Sequence, residues 1–148
     1  MKDLTYCVVF KAGSSVASTY NLGGNAAGPG PVCFFITAGH IRIRDFGTAQ
    51  EISFTDLTLT ANSVHFFCAR RTGNVWDAWL DGTKSTLGGA TGTANFLSSE
   101  FLFGTDSSTN ITEQFPGYMA HPMLWGVAKN DSTVTDIYTQ MKLIYNTP

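Results

Sequence analysis

His40, Arg42 and Arg44 alternate with Ile41 and Ile43. On an extended strand the three basic side chains share one face and the two isoleucines the other. Such a stripe suits an acidic glycan or an acidic patch on a partner protein; a solvated face is the plain alternative. The carboxylates are scattered by comparison. Glu51, Glu100 and Glu113 are each isolated, whereas glycoside hydrolysis needs two carboxyl groups flanking one bond. Asp77 and Asp81 fall on one face of a strand, but Asp81 precedes Gly82 and reads as a turn residue. No Gly-x-Ser-x-Gly, phosphate-binding loop or His-Glu-x-x-His pattern occurs. The expectation is a protein that is not an enzyme.

Asp106, Ser107, Asn110 and Glu113 place hard oxygen ligands, of the kind calcium accepts, on one polar loop. Asp45 and Asp56 could join them from elsewhere. An ordinary solvated loop is the preferred reading, so no cofactor is expected and calcium is the one ion left open. His40, His65 and His121 lie far apart and form no chelating motif. Aromatic residues offer a different chemistry. A sugar presents an apolar C–H face that stacks on an exposed ring, with amides or carboxylates holding its hydroxyls. If Ala78 and Leu80 face the core, Trp79 and Asp77 face outward and form a candidate platform. The alternative is that a sheet layer, a loop or a neighbouring subunit covers Trp79. Asn74, Tyr118 and Trp125 are the other candidate ligand contacts.

The elements that must position these residues read as strands. The chain has 148 residues, enough for one domain with a real core. Charged residues make up 14%, aromatics 13%, and there are fifteen glycines, a balance that favours an all-β fold. The formal charge of −2 gives no basic face for nucleic acid. No apolar run approaches the roughly 18 residues that span a membrane, so no insertion is expected. Cys7, Cys33 and Cys68 each sit in an apolar run and show no Cys-x-x-Cys spacing. They read as buried free thiols, with one bridge left open. That usage, and a start at Met1-Lys2-Asp3 without a signal-peptide pattern, point to synthesis in the cytoplasm.

Two apolar runs, residues 64–69 and 75–80, flank a polar connection containing Gly73-Asn74 and predict a β-hairpin. Further strands are expected over residues 6–12, 32–37, 40–46, 51–54, 56–60 and 100–103. Residues 21–31, with four glycines and two prolines, read as loop throughout. A strand over residues 117–127 contains Pro122, which places it at a sheet edge or at a bulge. Asn130-Asp131-Ser132-Thr133 is a helix start, followed by Val134, Ile137, Tyr138 and Met141 at helical spacing. That predicts one short helix of two to three turns, with residues 143–145 returning as a last strand. The sum is an all-β sandwich of two antiparallel sheets.

The order of pieces over roughly residues 64–142 resembles the concanavalin A-like jelly roll, in its laminin-G-like and pentraxin-like branch. His65 falls at the histidine of that family's tryptophan-histidine strand, with Val64 in the tryptophan position and Cys68 in that of an alanine. Ala78-Trp79-Leu80-Asp81-Gly82 matches the strand that ends in Tyr-x-Asp-Gly. Phe101-Leu102-Phe103-Gly104, Phe115-Pro116-Gly117-Tyr118-Met119 and Asp136-Ile137 match the family's later strands and its short helix. Ala120-His121 stand where the family has an Asp-Glu pair, so no carboxylate role transfers. The resemblance implies a jelly-roll β-sandwich over residues 1–148, with a start that lacks one or two family strands. An open sheet edge of that kind would recruit partners. The expected function is a non-enzymatic structural or adhesion module. It would sit on a virion surface, as a phage capsid decoration or tail protein, bind copies of itself or a larger assembly, and possess glycan-binding ability. A free lectin, calcium-dependent or not, is the alternative, and a glycosidase the least favoured.

Overall fold

A computed structural model describes residues 3–24, 32–45, 50–88, 101–104 and 115–148. These residues form ten strands and a helix: β1 (Leu4–Lys11), β2 (Tyr20–Gly24), β3 (Val32–Thr37), β4 (His40–Asp45), β5 (Gln50–Thr58), β6 (Val64–Thr72), β7 (Val75–Leu80), β8 (Thr83–Gly88), β9 (Leu102–Phe103), β10 (Tyr118–Trp125) and α1 (Asp131–Tyr145). Sheet A has the order β10-β1-β6-β7-β8 and sheet B the order β5-β4-β3-β2-β9; every pairing is antiparallel. Among the described residues no helix is long and apolar enough to cross a membrane.

The side-chain alternation of each strand builds the core between the sheets. Tyr6, Val8 and Phe10 of β1, Phe67 and Ala69 of β6, and Trp76, Ala78 and Leu80 of β7 point inward from sheet A. Leu22, Phe34, Ile36, Ile41, Ile43, Ile52 and Phe54 meet them from sheet B. Tyr6 ties the layers together. Its ring stacks on Phe34 with centroids 4.9 Å apart, and its hydroxyl donates to the Leu22 carbonyl at 2.8 Å. Burial pushes its phenol far above the usual range, so it stays a neutral donor.

Tight turns set the register. Ala38-Gly39 joins β3 to β4 and Asp81-Gly82 joins β7 to β8, each pair with positive φ at both positions. That backbone matches the twist of a two-residue hairpin. The hairpin at residues 64–80 forms as expected, but its strands run further. Thr72 pairs with Val75, so Arg70 and Arg71 belong to β6 and only Gly73 and Asn74 remain in the turn. Pro122 lies on edge strand β10, where a register shift marks a bulge and His121 has φ 47°.

Several expectations need correction. Residues 21–24 are not loop: they form most of β2. Glycine is used there for close approach, because a Cβ on Gly24 would lie 2.5 Å from the Val32 carbonyl oxygen. The two strands expected over 51–54 and 56–60 run as one, β5, and Thr83–Gly88, unassigned in sequence, is a strand as well. Residues 143–145 continue α1 rather than forming a strand, and the helix has 15 residues. Its ends are capped by Asn130, whose side chain accepts from the Thr133 N–H, and by Asn146 in the left-handed conformation. Finally, Cys7 and Cys68 are not free thiols. They face each other on neighbouring strands and form a disulfide, while Cys33 keeps a buried thiol outside any bridge.

His65 and Asp81 link the two ends of the hairpin. Asp81 accepts from the Phe66 N–H at 2.8 Å and holds His65 Nδ1 at 2.6 Å; the other ring nitrogen lies 2.9 Å from the Thr60 carbonyl oxygen. Burial alone would lower the imidazole pKa. The Asp81 hydrogen bond, the Thr60 carbonyl and the Asp81 charge outweigh it and raise the pKa above 6.5. A raised folded-state value means stabilisation that is complete below 6.5 and lost as pH climbs through the folded value. Urea midpoints measured across that range should fall with rising pH in the native chain, and a His65→Gln variant should lose the histidine part of that fall. Alkylation of the denatured, unreduced protein should label one cysteine, Cys33, and three after reduction.

Candidate functional site

The two sheets differ in what lies on their outer faces. On sheet A, α1 packs across Cys7, Val9, Phe66, Cys68 and Trp79 through Val134 and Met141, with Ile137, Tyr138 and Tyr145 beside them. Tyr138 comes down on the β7–β8 turn so closely that a Cβ on Gly82 would meet its ring at 2.6 Å. Charge pins the start of the helix. Arg70 forms an ion pair with Asp77, reaches Asp131 at 2.6 Å and donates to the Lys129 carbonyl at 2.7 Å. Lys84 completes the cluster, 2.8 Å from Asp131 and 3.7 Å from Asp77. A hydrogen bond from Lys84, aided by Arg70, holds the Asp131 carboxyl below its usual range although partial burial opposes it.

This arrangement corrects the ring-platform expectation. Trp79 and Asp77 do point away from the central core, but they are 3% and 5% exposed. Trp79 lies beneath the helix with the Arg70 and Lys84 cations 4.9 and 5.1 Å from its ring. Trp79 is covered, by this chain's own helix rather than by a sheet layer, a loop or a neighbouring subunit. Nor do the other ligand candidates gather around Trp79. Trp125 is half-buried on β10, separated from β7 by β1 and β6, with the Lys129 ammonium 5.2 Å from its ring. Tyr118, 80% exposed, lines a shallow apolar groove with Val9, Val64, Ala120 and Tyr145. Asn74 is exposed in the β6–β7 turn. Asp106, Asn110 and Glu113 lie outside the described residues. Among the described residues no cluster of histidine, cysteine and carboxylate groups could hold a metal.

The outer face of sheet B is different. Among the described residues no helix or strand packs on it, and it carries a polar groove of about 190 Å³ lined by Thr19, Asn21, Cys33, Phe35, Thr37, Arg42, Arg44 and Glu51. Register explains the assembly. Asn21 of β2, Phe35 of β3, Arg42 of β4 and Ser53 of β5 lie in one row; Cys33, Arg44 and Glu51 lie in the next; Thr37 and His40 pair at the end. The alternation that puts Ile41 and Ile43 in the core therefore turns His40, Arg42 and Arg44 onto this face, as the sequence pattern predicts.

Glu51 bridges the arginines. It forms an ion pair with Arg42 and accepts from Arg44 Nη2 at 2.9 Å. Partial burial would raise its pKa, but the hydrogen bonds from Arg44 and Arg42 and their charges carry it below the usual range. The Arg44 guanidinium lies 5.1 Å from the Phe35 ring centroid. Deeper in the groove, the Cys33 thiol donates to the Asn21 side-chain oxygen at 2.9 Å, and the Thr19 and Thr37 hydroxyls share a hydrogen bond of 2.8 Å. Glu51 stands isolated in the sequence and joins the site only in the fold. The available signal is the neighbouring strand pair, because an antiparallel return of β5 along β4 brings Glu51 opposite Arg44.

No family model and no curated protein sequence matches the chain. Solved structures do match. The binding domain of botulinum neurotoxin serotype D aligns with a TM-score of 0.71 and 11% identity, over 97% of this chain and 37% of that one. A heptameric SAP-like pentraxin from Limulus polyphemus aligns with a TM-score of 0.68 and 12% identity, over 93% and 70%. A Trypanosoma rangeli sialidase, solved as its covalent intermediate with 2,3-difluorosialic acid, aligns with 0.71 and 13%, over 96% and 24%. The chain thus spans well under half of the toxin and sialidase chains. At these identities the likeness defines the fold, a concanavalin A-like jelly roll of two antiparallel sheets with one C-terminal helix.

The burial of Trp79 sets a direct expectation. Trp79→Ala should behave as a core truncation and cost about 3–5 kcal/mol in urea unfolding, where an exposed ring would cost roughly 0.5 kcal/mol or less.

Proposed function

We propose that this protein is a non-enzymatic, lectin-like jelly-roll module that binds glycans on the outer face of sheet B. The observation that carries the reading is the asymmetry of the two sheets. One outer face is closed by the chain's own helix, and the other presents guanidinium, carboxylate and hydroxyl groups side by side in a groove. These are groups that hydrogen-bond sugar hydroxyls, and all but Thr19 are held on strands. Structural neighbours described as receptor-binding domains and a pentraxin support a binding role for the fold.

The carboxylates support the non-enzymatic part. Asp77 is engaged by Arg70 and Thr86, Asp81 by His65 and the Phe66 amide, and Glu51 by two arginines. Each is committed to partners within the chain, and Asp56, which shares a small pocket with Asp81, accepts from the Ser85 hydroxyl at 2.9 Å. The Limulus neighbour is heptameric, and exposed Leu143 and Ile144 on α1 offer an apolar contact, which favours self-association. The finer expectation of a capsid decoration or tail protein has no counterpart among these neighbours. The support is for glycan recognition.

A broad glycan array, probed with the intact chain in the presence of calcium, tests the reading. Binding to a defined subset of glycans is the expected result. Absence of binding to every class on the array would overturn it.

A further inference from the structure

Resting on the glycan-binding reading, we infer that the sheet B groove selects an anionic sugar, recognised through its carboxylate or sulfate by Arg42 and Arg44 with Glu51 as an internal stand-in for the ligand's acid group.

Three observations lead there. The first is charge. Two arginines face one glutamate, leaving one excess positive charge among the described groove residues, on a chain whose formal net charge is −2. A local cationic site on an acidic molecule attracts anions and discourages non-specific contacts with them elsewhere.

The second is geometry. The structure already holds one carboxylate against both guanidinium groups. Glu51 takes one arginine on each oxygen, Arg42 on Oε1 and Arg44 on Oε2. Arg42 and Arg44 are two residues apart on one strand, so their forks emerge on the same side. A guanidinium carries five N–H donors, and Glu51 uses one from Arg42 and one from Arg44. A planar acid group approaching from solvent can therefore displace Glu51 or join it. The side chains of Arg42, Arg44 and Glu51 are 32%, 44% and 29% exposed, open enough for that exchange.

The third is size and lining. About 190 Å³ is below the roughly 300–1,000 Å³ of sites that enclose drug-sized ligands. It suits one terminal sugar residue with the rest of the glycan in solvent. Thr19 and Thr37, whose hydroxyls share a 2.8 Å hydrogen bond, line the side away from Glu51 and face the sugar's own hydroxyls, while Asn21 is buried against Cys33. The groove thus has an acid-binding end and a hydroxyl-binding end.

Glu51 gives the inference its sharpest consequence, because it competes with the ligand. Removing its charge should strengthen anion binding, whereas removing a guanidinium should weaken it. The experiment is an array of neutral, carboxylated and sulfated glycans, followed by calorimetric titration of 3′-sialyllactose and lactose, and of the strongest array hit, into the native chain, Arg42→Gln and Glu51→Gln. The expected result is array signal confined to anionic glycans. Affinity for the anionic hit should drop about tenfold or more in Arg42→Gln, rise several-fold in Glu51→Gln, and weaken with added salt. Circular dichroism and melting should be near native in both variants, because these pairs are exposed and contribute little to stability.

Signal on neutral glycans alone, or an affinity unmoved by both substitutions, would overturn the anionic assignment and leave glycan binding standing. Silence on every class would overturn the glycan reading as well. Should Arg42→Gln fail to fold, Glu51→Gln alone decides: weaker or unchanged binding of the anionic hit counts against the inference.

Discussion

The contact on which the arrangement depends is the docking of α1 onto the outer face of sheet A. A helix of 15 residues is marginal by itself in water, so packing must hold it. Val134 and Met141 bury against the strand residues around Trp79, and each large apolar side chain removed from water contributes about 1.5–3 kcal/mol. The Arg70–Asp77 pair, with side chains only 12% and 7% exposed, adds position more than energy. A buried pair gains little over an apolar substitute, but removing one member costs several kcal/mol. Arg70 and Lys84 reach past Trp79 to Asp131, so the helix starts at one place on the sheet.

That docking closes the outer face of sheet A. A five-stranded sheet with large apolar residues on both sides must be covered on both sides. Sheet B and α1 supply the two covers, and Trp79, Phe66 and the Cys7–Cys68 pair lie beneath the second one. Among the described residues no helix packs on sheet B in the same way. Its outer face carries Thr19, Asn21, Thr37, Arg42, Arg44 and Glu51, and Phe35 is shielded there by its basic neighbours. Among the described residues the groove is built by alternation along β2, β3, β4 and β5, with Thr19 just before β2.

How much of this is legible in the sequence depends on the range of each signal. Alternating and tight-turn patterns are local, and they place β1, β3, β4 and the β6–β7 hairpin closely. Pro122 announces an edge or bulge, and both are present. Signals that depend on a distant partner are lost. Gly23 and Gly24 read as loop because their purpose, close approach to Tyr6 and to β3, is visible only once the strands pair. The Cys7–Cys68 pairing requires the β1–β6 register, which nothing local specifies. For the site, the arginine stripe is readable, but Glu51 becomes part of it only through the β4–β5 register. Trp79 misleads because alternation tells which face a side chain is on and not what covers that face.

Hydrogen–deuterium exchange of the intact chain, with and without a saturating array-selected glycan, tests the central claim most directly. The account predicts new protection in β3, β4 and β5 with no change in β7 or α1. Protection that instead appears in β7 and α1, with sheet B unaffected, would contradict it.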